Sequence, residues 1–282
     1  MTRLAVLGSP IAHSKSPALH RAAYGVLGLD WRYDAVEVTG ETLAAFVAGR
    51  DASWRGLSLT MPLKRDVLPL LLWADDTATL TGGANTLLFD RTSGTLELRG
   101  FNTDVYGVTE AFREAGVDRL PTVHILGGGA TAASVLVAVR DLGAHRVLVS
   151  VRTPAKAADL VTLGEKLGVD VVVRAFDDDD PAFDRPDAVV STIPGHGAHG
   201  LVFDERVRAS SVLFDVSYDP WPSQLASAWL DAGGTVISGL EMLLHQAVAQ
   251  IRIFVDGSPD ATLPGEPEVL AAMRAVIAPH AD

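Results

Sequence analysis

The 282-residue chain contains no cysteine. This absence excludes disulfide bonds, thiolate catalysis and cysteine zinc sites. The chain also lacks a long hydrophobic run, since no segment approaches the roughly 18 apolar residues of a membrane span. The apolar stretch at residues 4–7 is too short for the core of a signal peptide. We therefore expect a cytoplasmic protein with no membrane partner.

Positive charge is also scarce. The chain has 23 basic residues against 35 acidic ones, a net charge of -12. Nucleic acids bind to basic surfaces, so we expect no nucleic-acid partner. An anionic small molecule is still allowed, because a few local cations can hold one. The length fits two domains or one large one, and either can bury a substantial core.

Strand and helix signals alternate along the chain. The predicted strands are residues 4–7, 31–38, 57–60, 122–126, 147–151, 171–175, 188–192, 212–216 and 235–237. In the third strand, Leu57 and Leu59 are predicted to face the core, and Ser58 and Thr60 to point away from it. The acidic run at residues 177–180 is predicted as a solvated loop. The predicted helices follow Ser16, Pro62 and Asp104 or cover residues 42–47, 131–142, 155–167, 240–255 and 267–277. Ser16 is the predicted N-cap of the first helix, with Pro17 in its first turn. This alternation predicts an α/β fold that contains a parallel sheet with right-handed crossovers.

A glycine turn predicts a nucleotide site. The strand at residues 122–126 ends in Gly127-Gly128-Gly129, and a helix follows. Glycines allow a tight turn and let backbone N–H groups approach a pyrophosphate at the helix N-terminus. The G-x-G-x-x-A pattern is weak alone but gains specificity from its place between a strand and a helix. A simple tight turn is the alternative interpretation.

The residues after the next strand indicate which dinucleotide would bind. Sites for NAD carry an acid about 20 residues further on, which holds the ribose hydroxyls. Here Arg152, Thr153 and Lys156 provide two cations, and no acid is present. Because a cation suits a 2′-phosphate, this segment favours NADP. An exposed arginine without a ligand is the alternative.

Six segments carry candidate site residues. They are residues 8–17, 57–64, 83–86, 100–104, 215–220 and 239–247. The segments that end in Lys64 and Asp104 have no obvious role in a plain core, and residues 83–86 and 100–104 are predicted as polar loops. In the first of the six, Ser14 and Ser16 precede a helix and can bind a carboxylate. Lys64 and Asp104 each end a segment, and a lysine beside a carboxylate can hold, supply or take a proton. Motifs before residue 105 and after residue 238 are predicted to share one site.

Together, in this order and spacing, the segments resemble those of the shikimate dehydrogenases, NADPH-dependent enzymes of the shikimate pathway. The resemblance extends from Gly8 to Gln246. It implies a two-domain α/β protein with an N-terminal substrate-binding domain and a Rossmann-type dinucleotide-binding domain. We place the first domain at residues 1–104 and 239–282 and the NADP-binding domain at residues 105–238.

The resemblance also implies roles for single residues. Ser14 and Ser16 would hold the substrate carboxylate, with Tyr218 nearby. The residues implied to contact the ring hydroxyls and keto group are Thr60, Lys64, Asn85, Asp104 and Gln246. Lys64, steadied by Asp104, would be the catalytic acid and base.

The implied cofactor residues fall into four groups. The pyrophosphate group comprises Gly127, Gly128, Gly129, Ala130 and Thr131. Arg152, Thr153 and Lys156 would contact the adenosine phosphate. Val216, Gly239 and Met242 would lie near the nicotinamide, and Asp76 matches a further cofactor-side position.

Four positions depart from the family pattern. Ser58 stands where asparagine is usual, and Gly128 and Ala130 exchange the usual glycine–alanine order. Val151 also replaces an asparagine, which removes a polar contact to the adenosine ribose or its phosphate. Discrimination between cofactors would then depend on Arg152 and its neighbours.

The predicted activity is the reversible NADPH-dependent reduction of 3-dehydroshikimate to shikimate. One alternative is a quinate/shikimate dehydrogenase that uses NAD. Another is a regulatory module that binds the same molecules without turnover, although Lys64 and Asp104 are both present. His196 and His199 do not form a ligand set, so no metal is predicted. A small-molecule substrate is the expected partner, and a homodimer is left open.

Overall fold

The computed structural model describes residues 1–176, 185–193 and 201–278. The chain divides into two compact units. The N-terminal unit combines Met1–Thr103 with Leu243–Asp282, and the central unit is Asp104–Met242. These divisions fall one residue before and four residues after the boundaries that the motifs suggest.

Strands and helices alternate as the sequence indicates. The strands are β1 (Thr2–Gly8), β2 (Trp31–Glu37), β3 (Trp54–Leu59), β4 (Trp73–Ala74), β5 (Thr86–Asp90), β6 (Glu97–Phe101), β7 (Thr122–Leu126), β8 (Arg146–Val151), β9 (Asp170–Ala175), β10 (Ala188–Ser191), β11 (Val212–Asp215) and β12 (Thr235–Ser238). The helices are α1 (Ser16–Val26), α2 (Gly40–Ala48), α3 (Leu63–Asp66), α4 (Asp76–Thr81), α5 (Asp104–Glu114), α6 (Ala130–Asp141), α7 (Ala158–Leu167), α8 (Glu205–Ser210), α9 (Gln224–Asp231), α10 (Gly239–Asp256) and α11 (Glu266–Ile277). Among the described helices, none combines the length and apolar character needed to cross a bilayer.

The N-terminal unit contains a mixed sheet with the order β2-β1-β3-β5-β6-β4. β1 is parallel to β2 and β3, whereas β5 is antiparallel to both β3 and β6. Thr86 and residues 100–101 belong to β5 and β6. The prediction that they form loops was therefore wrong. The short connection between these two strands favours antiparallel pairing. The ends of β1, β3 and β6 therefore meet the start of β5 at one edge of the sheet.

Strand β3 is covered on both faces. Leu57 and Leu59 belong to a buried apolar cluster that includes residues of α2 and α3. On the other face, a side chain at Gly56 would strike Phe254 of α10. Ser58, predicted to point away from the core, is buried as well, with 3 % of its surface exposed. The simple alternation of inward and outward side chains fails here because helices cover both faces of the strand.

The start of α1 also differs from its prediction. Ser16 is the first helical residue and is buried, while Lys15 occupies the N-cap without a side-chain capping bond. The backbone N–H of Ser16 donates instead to Ser14 Oγ at 3.3 Å. Pro17 lies in the first turn, as predicted. The prediction of Ser16 as N-cap was therefore wrong.

The central unit contains a fully parallel sheet with the order β12-β11-β10-β7-β8-β9. Counted from β7, this is the 3-2-1-4-5-6 order of doubly wound dinucleotide-binding folds. The predicted parallel sheet is confirmed in this unit. Strand order reverses between β7 and β10, and ligands of such sheets bind at the carboxyl ends of the strands beside that reversal.

Two histidines are buried and uncharged. The ring of His20 stacks on Tyr33 with a centroid distance of 3.9 Å. Burial lowers the pKa of His20 to about 3, although a hydrogen bond that its ring donates to Gln250 acts in the opposite direction. Burial also lowers the pKa of His124 to about 3, and the charge of Arg174 adds to the effect.

We expect the protein to lose stability as the pH falls below the usual histidine pKa of 6.5. The unfolded chain then takes up a proton on each histidine that the folded chain does not. Each histidine thus contributes roughly 1.4 kcal/mol of lost stability per pH unit until the pH approaches the folded pKa. Urea unfolding between pH 7 and pH 4 measures this slope. His20→Gln and His124→Gln should each show a shallower slope, and equal slopes in all three proteins contradict the assignment.

Candidate active site

In the N-terminal unit, backbone hydrogen bonds join the segments that carry the predicted substrate residues. The N–H of Thr60 donates to Leu7 O at the end of β1, at 2.9 Å. The N–H of Ala84 donates to Lys64 O at 2.8 Å, which holds the lysine backbone beside the segment of Asn85. Thr60, Lys64 and Asn85 therefore lie on segments that meet at one edge of the sheet.

The serine loop is attached to the same edge. The N–H of Ser9 donates to Met61 O at 3.0 Å, and the N–H of Ser14 donates to Ile11 O at 3.0 Å. A Cβ atom at Gly8 would lie 2.9 Å from Met61 O, so only glycine allows this approach. The loop that carries Ser14 is thus packed against the segment that leads to Lys64.

Asn85 is the most extensively bonded residue of the site. Its side chain is buried, and its Oδ1 accepts from the N–H of Thr103 and from the Thr86 hydroxyl, each at 2.9 Å. Its Nδ2 donates to Thr103 Oγ1 at 2.9 Å and to Gln246 Oε1 at 3.3 Å. Helix α10 thereby brings Gln246 to a residue 161 positions earlier in the chain.

Asn102 holds the turn before Asn85. Its Nδ2 donates to Thr81 Oγ1 at 2.8 Å and to Gly83 O at 2.9 Å. The Asp75 carboxylate caps α4 by accepting from the N–H of Ala78 at 2.6 Å. Burial raises the pKa of Asp75 to about 6, against hydrogen bonds from Ala78 and Asn102 that lower it.

Two predicted site residues flank this framework. Asp76 is exposed in the first turn of α4. It belongs to the N-terminal unit, whereas the other predicted cofactor residues belong to the central unit. Asp104 follows Thr103 directly and is the buried first residue of both α5 and the central unit.

In the central unit, two of the three glycines in the turn between β7 and α6 are required, each for a different reason, and the third leaves open space. Gly127 has a φ of 102°, which side chains rarely adopt, and a Cβ there would lie 2.5 Å from Thr192 Oγ1. A Cβ at Gly128 would lie 2.9 Å from Ala157 Cβ and 3.0 Å from Val151 Cγ1. Gly129 is the N-cap of α6, and a Cβ there would meet nothing within 4 Å.

The start of α6 suits an anion. Gly129 is open to approach, and the N–H groups of Ala130, Thr131 and Ala132 lie in the first helical turn, before any intrahelical partner exists for them. Such N–H groups and the positive end of the helix dipole bind pyrophosphates in this fold.

The segment after β8 carries the predicted phosphate contacts. Arg152, Thr153 and Lys156 are all exposed. Val151, where the family pattern has asparagine, is buried and packs close to Gly128. Its side chain therefore contributes packing beneath the glycine turn, and the exposed cations remain as the groups available to a phosphate.

The predicted nicotinamide residues also meet within the central unit. The N–H of Val216 donates to Ser191 O at 3.0 Å, which continues β11 beside β10. Any side chain at Gly239 would strike the Val216 backbone, so this glycine lets the start of α10 approach the end of β11. Met242 lies one turn further along α10 and is buried.

Asp215 orders the loop that carries Tyr218. Its carboxylate accepts from the N–H of Ser217 at 3.1 Å and from the hydroxyl of Ser223, the N-cap of α9. Burial raises its pKa, against the hydrogen bonds from Ser223 and Ser217. Tyr218, a predicted substrate residue, therefore lies in a loop closed at both ends by one side chain.

Sequence reasoning missed the supporting residues. Thr103, Asn102 and Asp215 lie inside the recognised motifs, but no role was assigned to them. Gln250 was missed although it lies one helical turn after Gln246, a spacing that places both amides on one face of α10. Residues 177–180, an acidic run predicted as a solvated loop, lie outside the described residues together with His196 and His199.

Comparisons with known proteins identify the family of this chain. The family model of the shikimate dehydrogenase substrate binding domain matches residues 6–87. The NADP(+) shikimate dehydrogenase of Methanothermobacter thermautotrophicus is 33% identical over 261 residues, which cover 90% of this chain and 91% of that protein. The chain belongs to the shikimate dehydrogenase family.

Solved structures of shikimate dehydrogenases share the fold. The Mycobacterium tuberculosis enzyme is 39% identical, with a TM-score of 0.84 over 98% of this chain and 100% of that chain. The Thermus thermophilus shikimate 5-dehydrogenase, solved in complex with NADP(H) and shikimate, is 29% identical. Its TM-score is 0.80, over 98% of this chain and 100% of that chain. The predicted fold class, a substrate-binding domain and a Rossmann-type domain, is confirmed.

The glycine turn predicts a contrast between two substitutions. Gly127→Ala should lower the free energy of unfolding by about 1–3 kcal/mol, because alanine is strained at this φ and its methyl group meets Thr192. Gly129→Ala should cost less, since its φ of -87° suits alanine and the space beside it is open. Urea unfolding of both variants measures the difference, and equal losses would show that the turn is not constrained as described.

Proposed function

We propose that this protein is an NADP-dependent shikimate dehydrogenase that reversibly reduces 3-dehydroshikimate to shikimate. The hydrogen-bonded group of Asn85, Thr103 and Gln246, at the sheet edge that also carries Lys64, is the observation that supports it most. It offers both donors and acceptors to a polyhydroxylated ring. The relatives named above carry this activity in their names.

The residues present fit NADP. The open Gly129 and the N–H groups at the start of α6 would hold the pyrophosphate. Arg152, Thr153 and Lys156 would hold the 2′-phosphate. This segment contains no acid of the kind that holds the ribose hydroxyls in NAD sites. Asp76 is proposed as a further cofactor contact. When bound, NADPH supplies the hydride.

The protein supplies orientation and a proton. Ser14 and Ser16, with Tyr218, bind the carboxylate of the substrate. Thr60, Asn85 and Gln246 bind the ring oxygens. Lys64, steadied by Asp104, gives a proton to the ketone oxygen as the carbonyl is reduced, and takes it back from the hydroxyl in the reverse direction.

Two further predictions concern the whole protein. We infer a cytoplasmic location from the composition of the chain. Light scattering of the purified protein measures whether it forms a homodimer.

The first test combines two substrates with two cofactors. Shikimate with NADP should be turned over much faster than quinate with NADP or either substrate with NAD. Arg152→Ala should weaken NADP binding by roughly ten- to a hundred-fold, because a charge-assisted phosphate contact is lost, and should change NAD binding little. Arg113→Ala, an exposed arginine of α5, is the matched control. Equal losses for both cofactors would show that Arg152 does not contact the phosphate.

The second test addresses the proton. Lys64→Met nearly preserves volume, so the protein should fold while kcat falls by ~10²–10⁴-fold with a smaller change in KM. Asp104→Asn should also be severely impaired. The double variant should be much less than additive, because the two residues act as one unit. A folded Lys64→Met protein with a rate within a few-fold of wild type contradicts this role.

A further inference from the structure

A buried hydrogen-bond network connects α1, β2, β3 and α10 to Asn85. Gln250 lies at its centre, with 2 % of its surface exposed. Its Nε2 donates to Asn85 O and to Thr86 Oγ1, each at 3.1 Å. Its Oε1 accepts from the Ser58 hydroxyl at 2.7 Å and lies 3.3 Å from His20 Nε2.

The direction of every bond in this network follows from one atom. The backbone carbonyl of Asn85 can only accept, so the Gln250 group that faces it must be the NH2. The other end of the Gln250 amide is then the acceptor, and neutral His20 must carry its proton on Nε2. The free Nδ1 of His20 accepts from the Tyr24 hydroxyl, 3.1 Å away.

The direction of these bonds also determines how the proposed substrate residues are oriented. Because Thr86 Oγ1 accepts from Gln250, its own hydrogen is free to donate to Asn85 Oδ1. Together with the bond from the Thr103 N–H, that bond fixes the Asn85 carboxamide with its NH2 towards Gln246 Oε1. The Gln246 amide is fixed in turn, since its Nε2 donates to Leu243 O at 2.9 Å.

The result is a donor and an acceptor held 3.3 Å apart. A hydroxyl group both accepts and donates, so it can replace this direct bond by accepting from the Asn85 NH2 and donating to the Gln246 carbonyl. If the Asn85 carboxamide were flipped, its oxygen would face the Gln246 side-chain oxygen. The pair would then no longer offer one donor and one acceptor to a hydroxyl.

Ser58 has a place in this network. Its hydroxyl accepts from the Tyr33 hydroxyl at 2.6 Å and donates to Gln250. Both of its described bonds are therefore internal to the protein. The serine at this departure from the family pattern supports Gln250 rather than a ligand.

We propose that Gln250 is a positioning residue, which acts through Thr86 to fix the Asn85 amide so that a substrate hydroxyl binds between Asn85 and Gln246. This inference rests on the proposed function. In this role Gln250 contacts neither the substrate nor the cofactor.

The test is Gln250→Met, which keeps the length of the side chain and removes its hydrogen bonds. We expect the KM for shikimate to rise about ten-fold, with a smaller change in kcat and a KM for NADP within two-fold of wild type. On an Asn85→Ala background the same change should raise KM less than two-fold, since Gln250 acts through Asn85. Thr86→Val interrupts the same relay one step later and should reproduce the effect if Gln250→Met does not fold.

Val269→Ala controls for stability, because it removes buried volume from α11 in the same unit. It should lower Tm and leave the KM for shikimate unchanged. An unchanged KM in folded Gln250→Met or Thr86→Val overturns the inference, as does an equal factor with and without Asn85. A wild-type protein that does not reduce NADP with shikimate contradicts the proposed function instead.

Discussion

The backbone carbonyl of Asn85 organises the N-terminal unit. It accepts from the N–H of Leu59 at 2.7 Å and from the Gln250 side chain at 3.1 Å. The first bond ties the end of β3 to the start of β5, and the second ties both to α10. Because a carbonyl can only accept, this atom also sets the direction of the buried network around it. The position and the polarity of the predicted substrate residues thus depend on the same group.

The central unit depends on a different constraint, which is steric. Gly127, Gly128 and Gly239 each lie where a Cβ would meet a residue at or just beyond the end of a neighbouring strand. Close packing of this kind brings a helix N-terminus to the end of a parallel sheet. Buried hydrogen bonds therefore position the predicted site residues of the N-terminal unit. In the central unit, close packing at glycines positions them.

Much of the fold could be read from local patterns. The strand at residues 122–126 and its glycine turn were predicted because both signals lie within a few residues of each other. Strands β5 and β6 were not predicted, because the start of β5 and the end of β6 carry the polar residues that are typical of a loop. Ser58 was assigned to the wrong side because burial of both faces of β3 depends on α10, nearly 200 residues later.

The sequence by itself determined the α/β class, the glycine turn, the cations after β8 and the polar segments that carry the family resemblance. These are local properties of residue type and spacing. Only the tertiary structure decided that Gln250 meets Asn85 across 165 positions, that Ser58 is internal and that Ser16 is no cap. The reason is physical: a hydrogen-bond direction is set by the partner's chemistry, and the partner is brought there by folding, not by its place in the chain.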